Sequence, residues 1–371
     1  MQFSIKRDIL LKSLTLAQGV IERKNTLPIL SNVLLEAKNN KLIVVATDLD
    51  IIFYDEITEI EIIKEGSTTT SATILYDILR KISQDSSVKF DLKTENKINL
   101  TSSNSDFNLL CLPPENFPSF GNNFNEEKII LDSSKFLSLL NKTKIAVSND
   151  DTRHYLNGIF LHLTESKNQT FLTGVATDSH RLSSSSLEIE KNQSNISLIL
   201  PKKTVYQLCT LLQEINEKVV LQVAENKIQF TIGNTKLISK VIDGKFPDYK
   251  KVVPTNNEKT LITENKNFID SIERVTTVSL DRKEGVKLVL TKDKIKLSVN
   301  SALSGEGNEV VKADFNSEEM TVSFNSKYLI DIASQLEDKN IKMVLKDSIS
   351  PVLVQDNGDK NSYYVIMPMK I

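Results

Sequence analysis

Residues 5–20 read IKRDILLKSLTLAQGV, residues 131–147 read LDSSKFLSLLNKTKIAV, and residues 262–278 read ITENKNFIDSIERVTTV. Each gives a short apolar strand, a polar turn and then an amphipathic helix. Leu10, Leu11 and Leu14 correspond to Phe136, Leu137 and Leu140, and then to Phe268, Ile269 and Ile272. The i, i+1, i+4 spacing places each triplet on one helical face, which marks that face as buried. The copies lie 126 and 132 residues apart, so the repeating unit is a domain and not a solenoid turn.

Outward from the helix, the rest of each unit repeats. Val33-Leu34-Leu35-Glu36-Ala37 and residues 42–48 read as a hairpin turning at Lys38-Asn39-Asn40. Residues 159–163 with 171–178, and residues 286–290 with 295–299, are its second and third copies. A second helix follows in each unit, over residues 74–79, 205–212 and 328–333, with a strand after it at 88–92, 219–223 and 341–345. Strict alternation in Val88-Lys89-Phe90-Asp91-Leu92 means one wet and one buried face, hence antiparallel sheet. The expected class is α+β: three similar domains, each with two helices packed on antiparallel sheet. The expected limits are 1–123, 124–254 and 255–371, with polar, Asn-rich junctions.

Composition narrows the function. The chain has 371 residues, 46 Lys plus Arg and 48 Asp plus Glu, for a net charge of −2. That excludes a globally basic nucleic-acid binder but allows opposed basic and acidic surfaces. Cys111 and Cys209 stand far apart in apolar runs and form no CxxC, so the reading is two buried reduced thiols and no zinc knuckle. Only His154, His162 and His180 are available as histidine ligands or bases. No metal and no cofactor is expected. The charged start, MQFSIKRD, is not a signal peptide, and apolar runs of about five residues fall far short of the ~20 of a membrane span. The expectation is a cytoplasmic protein with no membrane partner.

Two enzyme-like signals fail on their own terms. Asp178, Ser179 and His180 are adjacent, and neighbours on a strand point to opposite faces, so they cannot form a nucleophile triad by themselves. Gly305-Glu306-Gly307 lacks the third glycine and following helix of a dinucleotide fingerprint and reads as a turn. A cytosolic hydrolase on a repeated α+β scaffold stays as the alternative; no catalytic residue is assigned.

Several motifs carry a resemblance. They are Tyr363-Tyr364-Val365-Ile366 followed by Met367-Pro368-Met369-Lys370, then residues 176–182, ATDSHRL, and residues 244–249, GKFPDY. Residues 26–32, TLPILSN, and 155–158, YLNG, complete the set. In order and over the whole length, the chain resembles the bacterial DNA polymerase III beta subunit family, the sliding clamps. The resemblance implies the DNA clamp fold and a head-to-tail homodimer closing a six-domain ring. It implies that twelve helices line a hole around double-stranded DNA, bound without sequence preference. It further implies a pocket that tethers the DNA polymerase III alpha subunit, the clamp-loader complex and other proteins bearing a clamp-binding motif. No catalysis is implied.

The resemblance also assigns sites. The partner-peptide pocket would comprise Leu156, Thr177, Leu182, Pro247, Val252, Val365, Met367, Pro368 and Met369, with Arg153, Tyr155, Ser179, His180, Arg181 and Lys370 on its polar rim. Methionines suit a surface that accepts several peptides. Ser179 stands where the family commonly has Gly, and Lys370-Ile371 where it has Arg-Leu. Phosphate contacts position without reading sequence, and Arg23, Lys24, Arg80, Lys202 and Lys203 are the residues favoured for them. Lys12, Lys81, Lys142 and Lys144 are further candidates on helix faces. The acidic loop at 148–152, with Asp150 and Asp151, puts its own DNA contact in question. The dimer contact would set Ile74, Ile78, Phe107 and Leu109 against Val278 and Leu280, with Glu306 and Glu309 nearby.

Overall fold

The computed structural model describes residues 1–22, 27–118, 124–190, 196–279 and 285–370. Among them are six α-helices: α1 (Arg7–Ala17), α2 (Ala72–Lys81), α3 (Ser133–Lys144), α4 (Lys202–Glu214), α5 (Asn265–Val275) and α6 (Ser326–Ala333). The expected repeat is present in detail. A strand runs straight into a helix at Gln2–Lys6, Ile129–Leu131 and Lys259–Glu264, and again before α2, α4 and α6. In α1, α3 and α5 the first and last members of each repeated triplet are fully buried and the middle one is half-buried. Each fully buried side chain contributes roughly 1.5–3 kcal/mol by leaving water.

Turn chemistry follows the sequence. Asn39 and Asn40 have φ of 52° and 57°, and Lys167 and Asn168 have 48° and 64°. Two successive left-handed residues are the tight hairpin turn that matches strand twist, and Asn tolerates that region best among residues with a side chain. Helix ends are satisfied from nearby. The Ser71 hydroxyl accepts the Ile74 N–H at 3.4 Å and the Asn325 carboxamide oxygen accepts the Tyr328 N–H at 3.2 Å. At the C-terminal end of α2, buried Arg7 donates to the Leu79 carbonyl (2.6 Å) and the Arg80 carbonyl (2.9 Å), which α2 itself leaves unpaired.

The chain forms two compact units: Met1–Ser134 with Lys203–Val241, and Lys135–Lys202 with Ile242–Ile371. The first holds a 13-stranded antiparallel sheet and the second a 12-stranded one. Each sheet joins strands from different thirds of the sequence. In the first unit Thr235–Lys240 pairs with Ile51–Ile57, Leu237 opposite Phe53. In the second, Ser362–Ile366 pairs with Arg181–Ile189, Tyr364 opposite Ser183. The middle third therefore contributes strands to both sheets.

Two expectations need correction. Gly305-Glu306-Gly307 is no turn: it opens the 11-residue strand Gly305–Phe315, paired along its length with Lys294–Ser301. Gly307 is required there because a Cβ would sit 2.6 Å from the Val275 carbonyl oxygen. Lys142, grouped on sequence with surface lysines, is buried, its ammonium 2.6 Å from Glu337 and 2.7 Å from Asp359.

Candidate functional site

In the second unit Leu156, Leu182 and Val365, three of the residues expected to line a pocket, come together. Leu156, Val175, Leu182, Ile199, Phe246, Tyr249 and Val365 make one buried apolar cluster, with Tyr155 packed against it. Two of its members come from one hairpin and one from the C-terminal strand, so sheet pairing itself sets their spacing. Phe160 stacks beneath, between His162 (4.6 Å) and Phe246 (5.0 Å). The His162 Nε2 and the Tyr249 hydroxyl are 3.1 Å apart. Burial holds the His162 imidazole below its ordinary pKa, and burial, with Tyr363 and Asp248 nearby, pushes the Tyr249 phenol up to about 12.

Above this floor the surface stays apolar. Val252, Met367 and Met369 are exposed by 52%, 39% and 38%, far more than methionine or valine in a core. Pro247 and Lys370 are also exposed, and Pro368 is half-buried. The tail is held at two points: the Met367 N–H donates to the His180 carbonyl (2.9 Å) and the Met369 N–H to the Ser323 carbonyl (2.7 Å).

The rim is polar and tightly connected. The Asp178 carboxylate accepts the backbone N–H groups of His180 and Arg181 and pairs with the Arg181 guanidinium at 3.1 Å. Its acceptor sites are thus directed at the turn and at Arg181. Arg181, 9% exposed, also pairs with Asp331 at 2.7 Å and lies 4.2 Å over the Tyr328 ring. The Thr177 hydroxyl donates to the Arg181 carbonyl at 2.7 Å. Asp150 caps the 3-10 segment Asp151–Leu156; hydrogen bonds from Thr152 and Arg153 draw its pKa down to about 2. Its carboxylate is therefore committed to its own loop. Beside the apolar floor lies a 1230 Å³ cleft lined mostly by polar and charged side chains, including Arg153, His180, Arg274, Lys327 and Asp331. Its chemistry differs from that of the floor.

The basic residues fall into three groups. Lys12, Arg80 and Lys81 are exposed on α1 and α2. Lys202 donates to the Asn149 carboxamide oxygen, and Lys203 pairs with Asp48 (2.5 Å) and Glu22 (3.0 Å). Burial lowers the Lys203 pKa, but the bonds to Asp48 and Glu22 outweigh it and the net shift is upward. Arg23 and Lys24 lie outside the described residues.

The remaining expected residues gather on two sheet edges. Strand Ser105–Leu112 pairs with Lys97–Ser102 through Leu110 and meets Gly66–Ser71 only at Cys111 and Leu112. Ile74, Ile78 and Phe107 line one 490 Å³ groove beside it. Leu109 packs inward at 8% exposure, whereas Leu110 is 74% exposed. In the second unit, strand Gly305–Phe315 meets Lys259–Glu264 only over residues 313–315. Val278 is half-buried, and Glu309 pairs with Arg274 at 2.5 Å. Leu280 lies outside the described residues. Two residues were missed on sequence: Leu303, 90% exposed, and Val310, 60% exposed. Leu303 carried a signal, as the large apolar side chain in the otherwise small and polar run of residues 300–309; Val310, next to the buried Val311, carried none.

Repeated helix pairs on long antiparallel sheets, three times along the chain, define a DNA clamp. The family models agree: DNA polymerase III beta subunit, N-terminal domain at residues 1–121, central domain at 130–248 and C-terminal domain at 250–370. The chain is 36% identical to the beta sliding clamp of Caulobacter vibrioides and 32% identical to that of Pseudomonas aeruginosa, covering 100% of each chain in both cases. The crystal structure of a Bartonella birtlesii sliding clamp bound to griselimycin matches with a TM-score of 0.96 and 37% identity, over 100% of both chains. That of the Caulobacter crescentus polymerase III beta matches at 0.93 and 36%, again over 100% of both. The chain belongs to the DNA polymerase III beta subunit family, the bacterial sliding clamps, and its function is that of a sliding clamp for DNA polymerase III.

Proposed function

We propose that the chain acts without catalysis, in the cytoplasm, as a head-to-tail dimer of three-domain protomers threaded by duplex DNA. The observation that carries this is the repeated way the sheets join. In strand order, Ser105–Leu112, Thr235–Lys240 and Ser362–Ile366 close the three repeats, and Ile51–Ile57, Arg181–Ile189 and Gly305–Phe315 follow their central hairpins. Two of the three possible junctions are made inside the chain. The two strands left unjoined, Ser105–Leu112 and Gly305–Phe315, are paired on one side only over residues 105–110 and 305–312, and an open apolar edge favours pairing with another chain.

The register follows from the repeat. Phe107 occupies the place of Leu237 and Tyr364, and Gly307 the place of Phe53 and Ser183. Phe107 of one protomer then falls opposite Gly307 of a second copy. Val278 and Leu303 supply apolar groups for the groove lined by Ile74 and Ile78. A head-to-tail contact of this kind gives a ring only when its rotation closes.

Docking is assigned to the floor of Leu156, Leu182 and Val365 with the exposed Val252, Met367 and Met369. Its partners are the polymerase III alpha subunit, the clamp loader and other proteins with a suitable apolar peptide. Phosphate contacts are assigned to Arg23, Lys24, Arg80 and Lys202. At Lys203 a phosphate competes with Asp48 and Glu22. The test is topological. Loaded chain should stay on nicked circular DNA through a sizing column and leave when the circle is linearised. Release from intact circles, or a stable monomer at micromolar concentration, overturns the proposal.

A further inference from the structure

We infer that Ser179 is a positioning residue that latches Arg153 across the mouth of the docking surface, and that a docking peptide must open this latch. The inference rests on the docking assignment above. The Ser179 hydroxyl accepts a hydrogen bond from Arg153 Nη1 at 2.6 Å, while Arg153 Nε donates to Asp150 at 2.8 Å. The bond ties two walls together. Arg153 belongs to the segment that delivers Leu156 to the floor, and Ser179 to the turn that delivers Thr177 and Leu182. Arg153 also lines the charged cleft, so the latch stands where apolar floor gives way to cleft.

The backbone conformation makes serine a costly residue at this turn. Ser179 has φ of 74°, a conformation glycine adopts without strain and serine does not. The turn itself imposes it: Leu49 takes φ of 79° at the same place in the first repeat, and both residues donate their N–H to the threonine two residues earlier. Glycine would satisfy the turn as well, without a hydroxyl. Serine keeps the strain and adds a hydroxyl that ties Arg153 to the opposite wall. A hydrogen bond with one charged partner is stronger than a neutral one, so the closed form dominates in the free protein. The apparent affinity for a peptide is then reduced by the fraction that is open.

The probe is a fluorescein-labelled peptide, the tightest binder among overlapping peptides of the polymerase III alpha subunit, followed by stopped flow with the full chain. Ser179→Ala removes the hydroxyl and keeps the strained backbone; Ser179→Gly removes both. Each should raise affinity about tenfold, and the gain should lie in the association rate, with dissociation unchanged. Equal or weaker binding in both variants overturns the latch, as does a gain confined to dissociation. Should the unaltered chain bind none of the peptides, the docking assignment fails and takes the latch with it.

Discussion

Lys142→Met tests how the second unit is held together. The side chain is 6% exposed and its ammonium bridges Glu337 and Asp359, whose side chains are 56% and 19% exposed. Breaking a buried pair by removing one partner costs about 3–5 kcal/mol, because the other charge is left uncompensated. Here one carboxylate can rehydrate, and Asp359 keeps bonds from Ser362 (2.5 Å) and Asn361 (2.9 Å). The expected loss is therefore about 2–3 kcal/mol at neutral pH. Burial pushes the Asp359 pKa up, but hydrogen bonds from Lys142, Ser362 and Asn361 bring it below the usual carboxylate range. A carboxyl with a lowered folded pKa stabilises above its unfolded value of about 3.9 and loses that contribution as pH falls. Removing Lys142 should flatten this acid limb. The assay is urea unfolding followed by circular dichroism, in a double-mutant cycle with Asp359→Asn. The double variant should recover much of the loss, giving a coupling above about 1 kcal/mol. A coupling below about 0.5 kcal/mol would refute the reasoning.

Three further outcomes are expected. Phe107→Ala should raise the dimer dissociation constant at least tenfold in sedimentation equilibrium, about 1.4 kcal/mol; an unaltered constant removes Phe107 from the interface. Deleting residues 367–371 should abolish peptide docking in a fluorescence titration while dimerisation persists, since those residues supply Met367 and Met369 but no strand; undiminished affinity contradicts the assignment. His162, its pKa held down by burial, favours the folded, neutral form above its unfolded pKa of about 6.5 and loses that contribution as pH falls below it. Unfolding free energy in urea should therefore drop between pH 7 and 5, and His162→Gln should reduce that dependence; a variant titrating like the parent would show another group responsible.

The fold was legible because its signals were periodic. Leu10, Phe136 and Phe268 share a helical position, and their neighbours share a degree of burial. The apolar floor was legible only through resemblance, since Leu156, Leu182 and Val365 are far apart in sequence and are joined by strand pairing. Lys142 was misread because a lysine in the last turn of an amphipathic helix ordinarily faces water, and its two carboxylates stand 195 and 217 residues away. Ser179 could be noticed on sequence as an odd residue at a turn. That its hydroxyl reaches Arg153 depends on two segments meeting in space.

The division of the middle third between two sheets bears on how the chain can be cut. A fragment of residues 1–121 would leave Ile51–Ile57 without the neighbour it has in Thr235–Lys240. A fragment of 130–248 would carry two bare edges, Arg181–Ile189 and Thr235–Lys240. Backbone groups so exposed are templates for the next strand that arrives. Isolated thirds would be sticky pieces, apt to associate with each other or with themselves.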